Sequence, residues 1–389
     1  MFILRSFTFA CSMIGIYGTL IFPALNFTGL AALNGLQAEK YKVVTDDGYI
    51  LTLFRIPGSK NRPILLVHGL IDCAESWILR GPTSLLLHLV QAGYDVWLPN
   101  LRGSQYSREH LVLNSDLDIR FWDYSFHEMG YYDLPAIIDF VLKKNGVQSV
   151  AAIGHSQGNQ VFYVMCSTKP EYNKKVEILI SLAPISFLRN VRGATRTLIS
   201  LAPVLGYYTN LLHLVKILDD RGILRQTEQR FCSLEGIGYD VCAKDLIFAM
   251  TGSDPEAIES EFFTKVFVQH YPRSTSIKNI LHLSQLSNNK AFAQFSYSPL
   301  QNYIVYGAYN PPKYNLKKVT IKVALLTGQH DTLATVEDTL LLSKILPNIV
   351  KNSNVTRKEW GHLDFLFARN MSEFLFPFID EVLTKYYGV

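Results

Sequence analysis

The chain has 389 residues, of which 48% are hydrophobic and 12% aromatic, enough for a sizeable core in one large domain with an insertion or in two domains. The formal net charge is only +4 and no basic block occurs, so nothing in the composition favours binding to nucleic acid. The sequence contains no CxxC pair, no HExxH motif and no glycine-rich phosphate loop. It therefore predicts neither a metal nor a nucleotide cofactor.

The first residues have the pattern of a targeting segment. Arg5 precedes a mostly apolar stretch at residues 7–20, which predicts a secretory signal over residues 1–22. The apolar stretch continues to Leu25, so an uncleaved signal anchor and a buried helix stay as alternatives. A secretory route also agrees with three glycosylation sequons and predicts a secreted or lysosomal protein. The sequon asparagines are Asn26, Asn354 and Asn370.

Apolar runs that alternate with helical patterns predict the core. Residues 41–56 alternate around an Asp-Asp-Gly turn, which is typical of a hairpin. A helix with Gly146 as its stop is predicted over residues 134–142, and a terminal helix over residues 372–387. This order favours an α/β fold with a mostly parallel central sheet and helices on both faces. The continuous apolar runs that predict buried strands cover residues 63–67, 94–98, 150–153, 176–182 and 319–327.

The alternation stops between residues 186 and 311. This segment has a mostly helical pattern, no predicted strand, and an apolar stretch over residues 198–218 that Pro203 and Gly206 interrupt. Because the next predicted core strand follows directly, we interpret residues 186–311 as a helical cap, or lid. The cap would then separate two parts of one core, residues 41–185 and 312–389. An independent helical domain is the alternative.

The chain has five cysteines. Cys232 and Cys242 enclose a short loop within the predicted cap and are a candidate disulfide, with a pair of free thiols as the alternative. Cys166 lies on the apolar helix predicted after residue 158, where a buried structural thiol is expected. Cys11 would be removed with a cleaved signal.

The sequence Gly154-His155-Ser156-Gln157-Gly158 lies between an apolar run and an amphipathic segment. In a strand–turn–helix context, Gly-x-Ser-x-Gly predicts a nucleophile elbow, in which the serine occupies a strained turn. The glycines let the chain fold back and let a substrate approach. An ordinary glycine-flanked turn is the alternative, since the pentapeptide alone also occurs by chance.

A serine hydroxyl needs a base to remove its proton, and the base needs an acid to orient it. In elbow-containing sheets the chain order is Ser, acid, His. Asp331 follows the run at residues 319–327, and His362 precedes the terminal helix. We therefore predict that Ser156, Asp331 and His362 form a catalytic triad. The competing candidates are His155 and His330 as bases and Asp338 and Asp364 as acids.

Attack on a carbonyl carbon creates an oxyanion that needs two N–H donors. One predicted donor is the backbone amide of Gln157, directly after the nucleophile. The other is the amide of Leu70, in the His68-Gly69-Leu70 loop that follows the run at residues 63–67. A glycine turn at a strand end is the alternative interpretation of that loop.

With these residues placed, the chain resembles the animal acid lipase family, which contains gastric and lysosomal lipases and many insect relatives. The matching stretches extend over nearly the whole chain after the predicted signal. The most specific is residues 121–130, Phe-Trp-Asp-Tyr-Ser-Phe-His-Glu-Met-Gly, and others are His68-Gly69-Leu70 and His362-Leu363-Asp364-Phe365. The resemblance implies an α/β-hydrolase core with a helical cap, and the same triad and oxyanion donors.

Three residues, at two places in the chain, depart from the pattern of that family. Asn159-Gln160 follows the elbow where relatives often carry small hydroxyl residues. Thr332 follows the predicted acid where many members have a bulky aromatic residue. Neither position belongs to the predicted triad, so these departures concern substrate choice rather than activity.

These patterns predict a serine lipase that hydrolyses neutral lipid esters, triacylglycerols or sterol esters, at a lipid–water interface without a cofactor. The alternatives are a carboxylesterase for smaller esters and a catalytically retired lipid carrier on the same fold; the complete triad argues against the carrier. No protein partner is predicted. Apolar cap residues are predicted to line an acyl pocket, to meet a lipid surface or to form the core of the cap. They are Leu198, Leu201, Val204, Leu205, Leu211 and Leu212.

Overall fold

The structure is a computed structural model that describes residues 25–219 and 222–388. The predicted signal at residues 1–22, with Cys11, lies outside the described residues. Within the described ranges, no helix combines the length and the apolar character needed to cross a membrane.

A nine-stranded sheet forms the centre of the described part of the chain, and two short strands pair apart from it. Its strand order is β1-β2-β4-β3-β6-β7-β10-β11, with β5 paired to β2. All pairings from β4 to β11 are parallel, while β2 is antiparallel to each of its neighbours. The strands are β1 (Glu39–Val44), β2 (Tyr49–Ile56), β3 (Ser59–Val67), β4 (Tyr94–Pro99), β5 (Glu109–His110), β6 (Val150–His155), β7 (Val176–Leu182), β8 (Lys216–Ile217), β9 (Thr275–Ser276), β10 (Lys322–Thr327) and β11 (Ile349–Asn354).

Helices cover both faces of this sheet and make up most of residues 186–311. The α-helices are α1 (Phe27–Leu33), α2 (Leu85–Gln91), α3 (Phe126–Glu128), α4 (Leu134–Asn145), α5 (Gln157–Thr168), α6 (Gly193–Leu211), α7 (Ile223–Cys232), α8 (Ala249–Thr251), α9 (Ser260–Phe262), α10 (Val268–His270), α11 (Ile277–Asn289), α12 (Pro299–Tyr306), α13 (Val336–Ser343), α14 (Asp364–Phe367), α15 (Met371–Phe374) and α16 (Phe376–Tyr386). Short 3₁₀ segments are Ala74–Trp77, Gly81–Thr83, Ile119–Trp122, Pro170–Lys174 and Leu316–Lys318, and π-helical segments are Met129–Asp133, Tyr239–Phe248 and Phe263–Phe267.

The central strands read as continuous apolar runs because helices cover them on both sides. In β3, every residue from Pro63 to Val67 is buried, and β6 is buried along its whole length. Alternate side chains of these strands enter two hydrophobic clusters, one on each face of the sheet. Helix α4 ends at Gly146, as its sequence predicts.

Two element boundaries differ from the sequence-based expectation. The strand expected over residues 319–327 begins only at Lys322, because Val319 and Ile321 pack in the core just after a 3₁₀ turn and before strand pairing starts. The terminal helix expected over residues 372–387 is divided into α15 and α16, with Pro377 in the first turn of α16. Proline fits a first turn, where its missing N–H would have no partner within the helix.

Residues 186–311 are mostly helical, as expected, but they also contain the antiparallel pair β8 and β9. Strands of two residues leave no periodic signal in the sequence. Cys232 and Cys242 form a disulfide between the end of α7 and the following π-helical segment, whereas Cys73 and Cys166 are free and buried. The division into a core and an inserted cap stays a prediction.

Candidate active site

Ser156 occupies a sharp turn between β6 and α5. Its backbone has φ 54° and ψ −120°, a conformation that costs energy in a residue with a side chain. A Cβ on Gly154 would lie 2.5 Å from Asn159 Oδ1, and one on Gly158 would overlap the backbone carbonyl oxygen of Val67. Only glycine allows such close approach on both sides of the serine. The predicted elbow is therefore the observed local structure.

The three predicted triad residues come together at the carboxyl end of the sheet. Ser156 Oγ lies 2.8 Å from His362 Nε2, and His362 Nδ1 lies 2.8 Å from Asp331 Oδ2. The three residues are 4%, 4% and 3% exposed, respectively. The partners fix the roles: Nδ1–H donates to the carboxylate, which leaves Nε2 to accept the serine hydroxyl proton.

The carboxylate of Asp331 has a separate partner for each oxygen. Its Oδ1 accepts hydrogen bonds of 2.8 Å from the amides of Leu333 and Ala334, so Oδ2 is left to His362. The runner-up acid Asp338 instead accepts from the backbone and side chain of Asn190. It has no recorded contact with the imidazole of His362.

The competing histidines have supporting positions. His155 Nε2 donates to the carbonyl oxygen of His362 at 2.9 Å, and burial, with a contribution from the nearby His362, lowers the pKa of His155 to about 3. A neutral His155 therefore holds the backbone of the proposed base. His330 is exposed, and its Nδ1 lies 2.7 Å from the carbonyl oxygen of Gly252.

The predicted oxyanion loop passes beside the nucleophile. A Cβ on Gly69 would lie 3.1 Å from Ser156 Cβ, which puts the backbone leading to Leu70 next to the serine. His68 Nδ1 donates to Gly69 O at 2.9 Å, and His68 Nε2 accepts from the amide of Leu101 at 3.1 Å. Burial lowers the pKa of His68 to about 4, which keeps the ring in this neutral form.

Gln157 begins α5, where backbone amides have no partner within the helix. Its side chain forms a reciprocal amide pair with Asn279 of α11, because each amide nitrogen donates to the other oxygen at 3.0 Å. Asn279 is fully buried, and its Oδ1 also accepts from the amide of Phe126. The sequence did not single out Asn279: an asparagine in a helical segment has no distinctive spacing, and only the packing of α11 brings it to the elbow.

The two departures after the elbow have different environments. Asn159 Nδ2 donates to Leu182 O at 2.9 Å, and its Oδ1 accepts from Ser181 Oγ at 2.8 Å, so this side chain ties α5 to β7. Gln160 is fully buried, and neither of its amide atoms has a hydrogen-bond partner among the described residues.

The three sequon asparagines differ in exposure. Asn26 is exposed, and its side chain caps α1 by accepting from Gly29 N at 2.9 Å. Asn354 is exposed at the end of β11. Asn370 is half-buried, with its Oδ1 enclosed. In residues 25–219 and 222–388, no group of three or more His, Cys, Asp or Glu side chains is arranged to hold a metal ion.

The fold agrees with comparisons to known proteins. A model of the alpha/beta hydrolase fold matches residues 62–368, and a model of the partial alpha/beta-hydrolase lipase region matches residues 27–81. Solved structures share the fold at low identity: a protein from Sulfolobus solfataricus has a TM-score of 0.60 at 14% identity, over 90% of this chain and 94% of that chain. An esterase from Rhodococcus has a TM-score of 0.50 at 16% identity, over 90% and 98%. The fold is thus that of an α/β hydrolase.

Relatives of known function show to which family of α/β hydrolases the chain belongs. Lipase 3 of Drosophila melanogaster is 35% identical over 90% of both chains. Mouse gastric triacylglycerol lipase is 34% identical, covering 92% of this chain and 91% of its own. Human lysosomal acid lipase/cholesteryl ester hydrolase is 33% identical, covering 93% and 91%. The chain belongs to the animal acid lipase family of α/β hydrolases.

The second runner-up acid, Asp364, lies beneath the loop that carries His362. Its Oδ2 accepts from Gly361 N at 2.5 Å and from Asp254 N at 3.0 Å, and the residue is fully buried. Burial raises the pKa of Asp364 to about 8, although these backbone N–H donors oppose the shift. Asp364 therefore holds the backbone next to His362 and makes no recorded contact with its ring.

The raised pKa of Asp364 predicts a pH-dependent stability difference. In the unfolded chain Asp364 ionises near pH 4, whereas in the folded protein it keeps its proton until about pH 8. The contribution of Asp364 to the free energy of unfolding is thus complete below about pH 4 and falls by about 1.4 kcal/mol per pH unit up to about pH 8.

In an Asp364→Asn variant the amide oxygen can replace Oδ2 as acceptor. Because the amide does not ionise, this variant should not lose stability in the same way as pH rises. Thermal unfolding of both proteins is measured between pH 4 and pH 8. The stability of the variant should increase relative to that of the wild type as pH rises. Parallel curves would contradict the assignment.

Proposed function

We propose that this protein is a serine lipase that hydrolyses carboxylic esters of neutral lipids through an acyl-enzyme. The observation that carries the proposal is the hydrogen-bonded chain from Ser156 through His362 to Asp331, with 2.8 Å at each step. A hydroxyl becomes a useful nucleophile only when a positioned base takes its proton. Membership of the lipase family supports this chemistry.

In the proposed acylation step, Ser156 Oγ attacks the ester carbonyl carbon while its proton moves to His362 Nε2. Asp331 stabilises the imidazolium that forms. The carbonyl oxygen becomes an oxyanion, which accepts hydrogen bonds from the amides of Leu70 and Gln157. Collapse of this intermediate breaks the ester C–O bond, and His362 gives its proton to the departing alcohol.

Deacylation repeats these steps with water as the nucleophile. His362 takes a proton from water while the water oxygen attacks the acyl carbon. The second intermediate then collapses by breaking the bond between the acyl carbon and Ser156 Oγ, His362 returns its proton to Oγ, and the carboxylic acid is released. One ester and one water thus become one acid and one alcohol, and no cofactor is consumed.

The proposed substrates are triacylglycerols, sterol esters, or both. Relatives that cover nine-tenths of the chain are a gastric triacylglycerol lipase and a lysosomal acid lipase/cholesteryl ester hydrolase. The predicted cap also carries apolar side chains that are exposed to solvent in this structure. All five described members of the apolar set predicted from the sequence are exposed: Leu198, Leu201, Val204, Leu211 and Leu212.

Exposure of these side chains favours contact with a lipid surface over an acyl pocket in this conformation. An exposed apolar face on a helix gains free energy when it leaves water for a lipid interface. Meanwhile Ser156 is almost fully enclosed. A lipid molecule can therefore reach the hydroxyl only after part of the protein moves, and the apolar face of α6 gives a lipid surface a means to favour that movement.

The first test is a Ser156→Ala variant assayed on a panel of esters from short to long acyl chains, with triacylglycerol and sterol ester included. Removing the nucleophile should lower kcat by ~10⁴-fold or more on every substrate. The matched control is Ser284→Ala, a buried serine of α11 whose hydroxyl donates to Leu281 O within the helix. That variant should retain activity.

The panel also separates the alternatives. Turnover limited to short, soluble esters would favour a carboxylesterase. Lipid binding without turnover by either protein, at acidic or neutral pH, would leave a carrier on a hydrolase scaffold and refute the proposal.

The apolar face of α6 gives a second test. Leu201 is 49% exposed on α6, and Leu340 is 46% exposed on α13 of the core. A charge at position 201 removes roughly one leucine side chain of lipid contact, so Leu201→Glu should lower turnover of emulsified triacylglycerol by about tenfold. Turnover of a soluble short-chain ester should stay unchanged, as should both activities of Leu340→Glu. Equal effects of the two variants on the emulsion would contradict the role of α6.

We infer that the protein follows the secretory route to the cell exterior or the lysosome. Gastric and lysosomal relatives, the predicted signal and the sequons support this inference. Because Asn354 is exposed and Asn370 is half-buried, Asn354→Gln should remove one glycan from protein made in a secretory host. Asn370→Gln should not change the glycosylation. The number of glycans on each variant is measured by electrophoretic mobility before and after treatment with peptide N-glycosidase. Loss of a glycan in Asn370→Gln but not in Asn354→Gln would contradict the assignment.

A further inference from the structure

The end of the short helix α8 contacts both loops that carry the proposed acid and base. Residues 250–254, which we call the loop clamp, comprise the last two residues of α8 and the three that follow it: Met250, Thr251, Gly252, Ser253 and Asp254. The last carbonyls of a helix have no donor within the helix and must find partners elsewhere. In this protein, those partners come from the two site loops.

The acid loop is held on both sides of Asp331. Thr332 Oγ1 donates to Met250 O at 2.7 Å, and His330 Nδ1 donates to Gly252 O at the same distance. Thr332 is one of the positions where this chain departs from the family pattern. The hydrogen bond to Met250 O comes from the short Thr332 hydroxyl, which a bulky aromatic residue at this position would not supply.

The base loop is held on both sides of His362 as well. The amide of His362 donates to Thr251 O at 3.0 Å, and the amide of Leu363 donates to Ser253 Oγ at 3.1 Å. Asp254 N donates to Asp364. These bonds fix the backbone of the base without touching its ring.

The contact is too close for a side chain at its centre. Gly252 has φ +67°, and a Cβ there would overlap the carbonyl oxygen of His330. A Cβ on Gly361 would overlap the carbonyl oxygen of Gly252. Gly252 thus lies between the two loops with its backbone against both.

We propose that the loop clamp is a positioning element that sets the distance between Asp331 and His362, and through it the aim of His362 at Ser156. This role rests on the proposed function, since it concerns the same triad. Asp331 and His362 follow different strands, β10 and β11, so their mutual position depends on what joins the two loops. The clamp joins them although it comes from a segment between β7 and β10 that precedes both.

A shift of about 1 Å between catalytic groups lowers a rate by about 10²-fold. The clamp residues are positioning residues, because none has a recorded contact with Ser156 Oγ or the imidazole of His362. The clamp also limits how the proposed cap can open: a movement that exposes Ser156 must leave residues 250–254 in place, or the triad would be lost as the substrate enters.

The test is a Gly252→Ala variant with Gly307→Ala as its matched control. Gly307 has φ +70° but no atom within 4 Å of an added Cβ, so both changes strain the backbone and only one separates the loops. We expect Gly252→Ala to lower kcat on a soluble ester by about 10²-fold with KM unchanged, and Gly307→Ala to retain the wild-type kcat. Thermal unfolding of both variants measures the loss of stability that backbone strain causes in each.

Labelling of Ser156 by a fluorophosphonate separates positioning from folding. The extent of labelling counts folded sites, while its rate depends on the base that activates the serine. A slow but complete reaction of Gly252→Ala supports the clamp. Partial labelling at the wild-type rate, or a kcat equal to that of Gly307→Ala, overturns it.

Two gentler variants protect the test against misfolding. Thr332→Val removes the bond to Met250 on the acid side, and Ser253→Ala removes the bond to Leu363 on the base side; each should slow labelling by about tenfold. Ser284→Ala is their control. If both variants label at the wild-type rate, the clamp does not position the site. If the wild-type protein is not labelled at all, the proposed function is refuted, and the positioning role that rests on it is refuted as well.

Discussion

The backbone turn at Ser156 is the constraint on which the rest of the site depends. Its positive φ and the close approaches at Gly154 and Gly158 hold the hydroxyl at the point where β6 becomes α5. This strain persists because the surrounding structure fixes it: Ser156 N donates to Leu182 O at 3.0 Å, and Asn159 bonds to the same carbonyl. A buried sheet can store such strain where an isolated turn could not.

Around this fixed serine, the other groups are held mostly by backbone contacts. His155 holds the carbonyl of His362, His68 holds the proposed oxyanion loop through Gly69 O, and Asn279 holds the side chain of Gln157. Burial lowers the pKa of both His155 and His68 and keeps them neutral, so they add no charge beside the proposed triad. The proposed site is therefore arranged before a substrate arrives, as the acyl transfer proposed here requires of its donors and base.

The segment at residues 186–311 combines two properties. Its α6 face leaves apolar side chains in solvent, whereas its α8 end and α11 are buried against the triad loops and the elbow. The first property suits a surface that meets lipid, and the second suits a support that stays fixed. Movement that admits a substrate is therefore expected in the exposed part and not in the buried part.

The local patterns of the sequence determined the elbow, the central strands and the order Ser156, Asp331 and His362, because each depends on neighbouring residues or on strand periodicity. Little or no periodic signal in the sequence indicated three features: the polar edge strand β11, the break between α15 and α16, and the pair β8–β9. Only the tertiary structure brought Asn279 to Gln157 and the loop clamp to the acid and base loops. Those contacts join residues tens of positions apart or more, and three-dimensional packing, which no local pattern encodes, decides them.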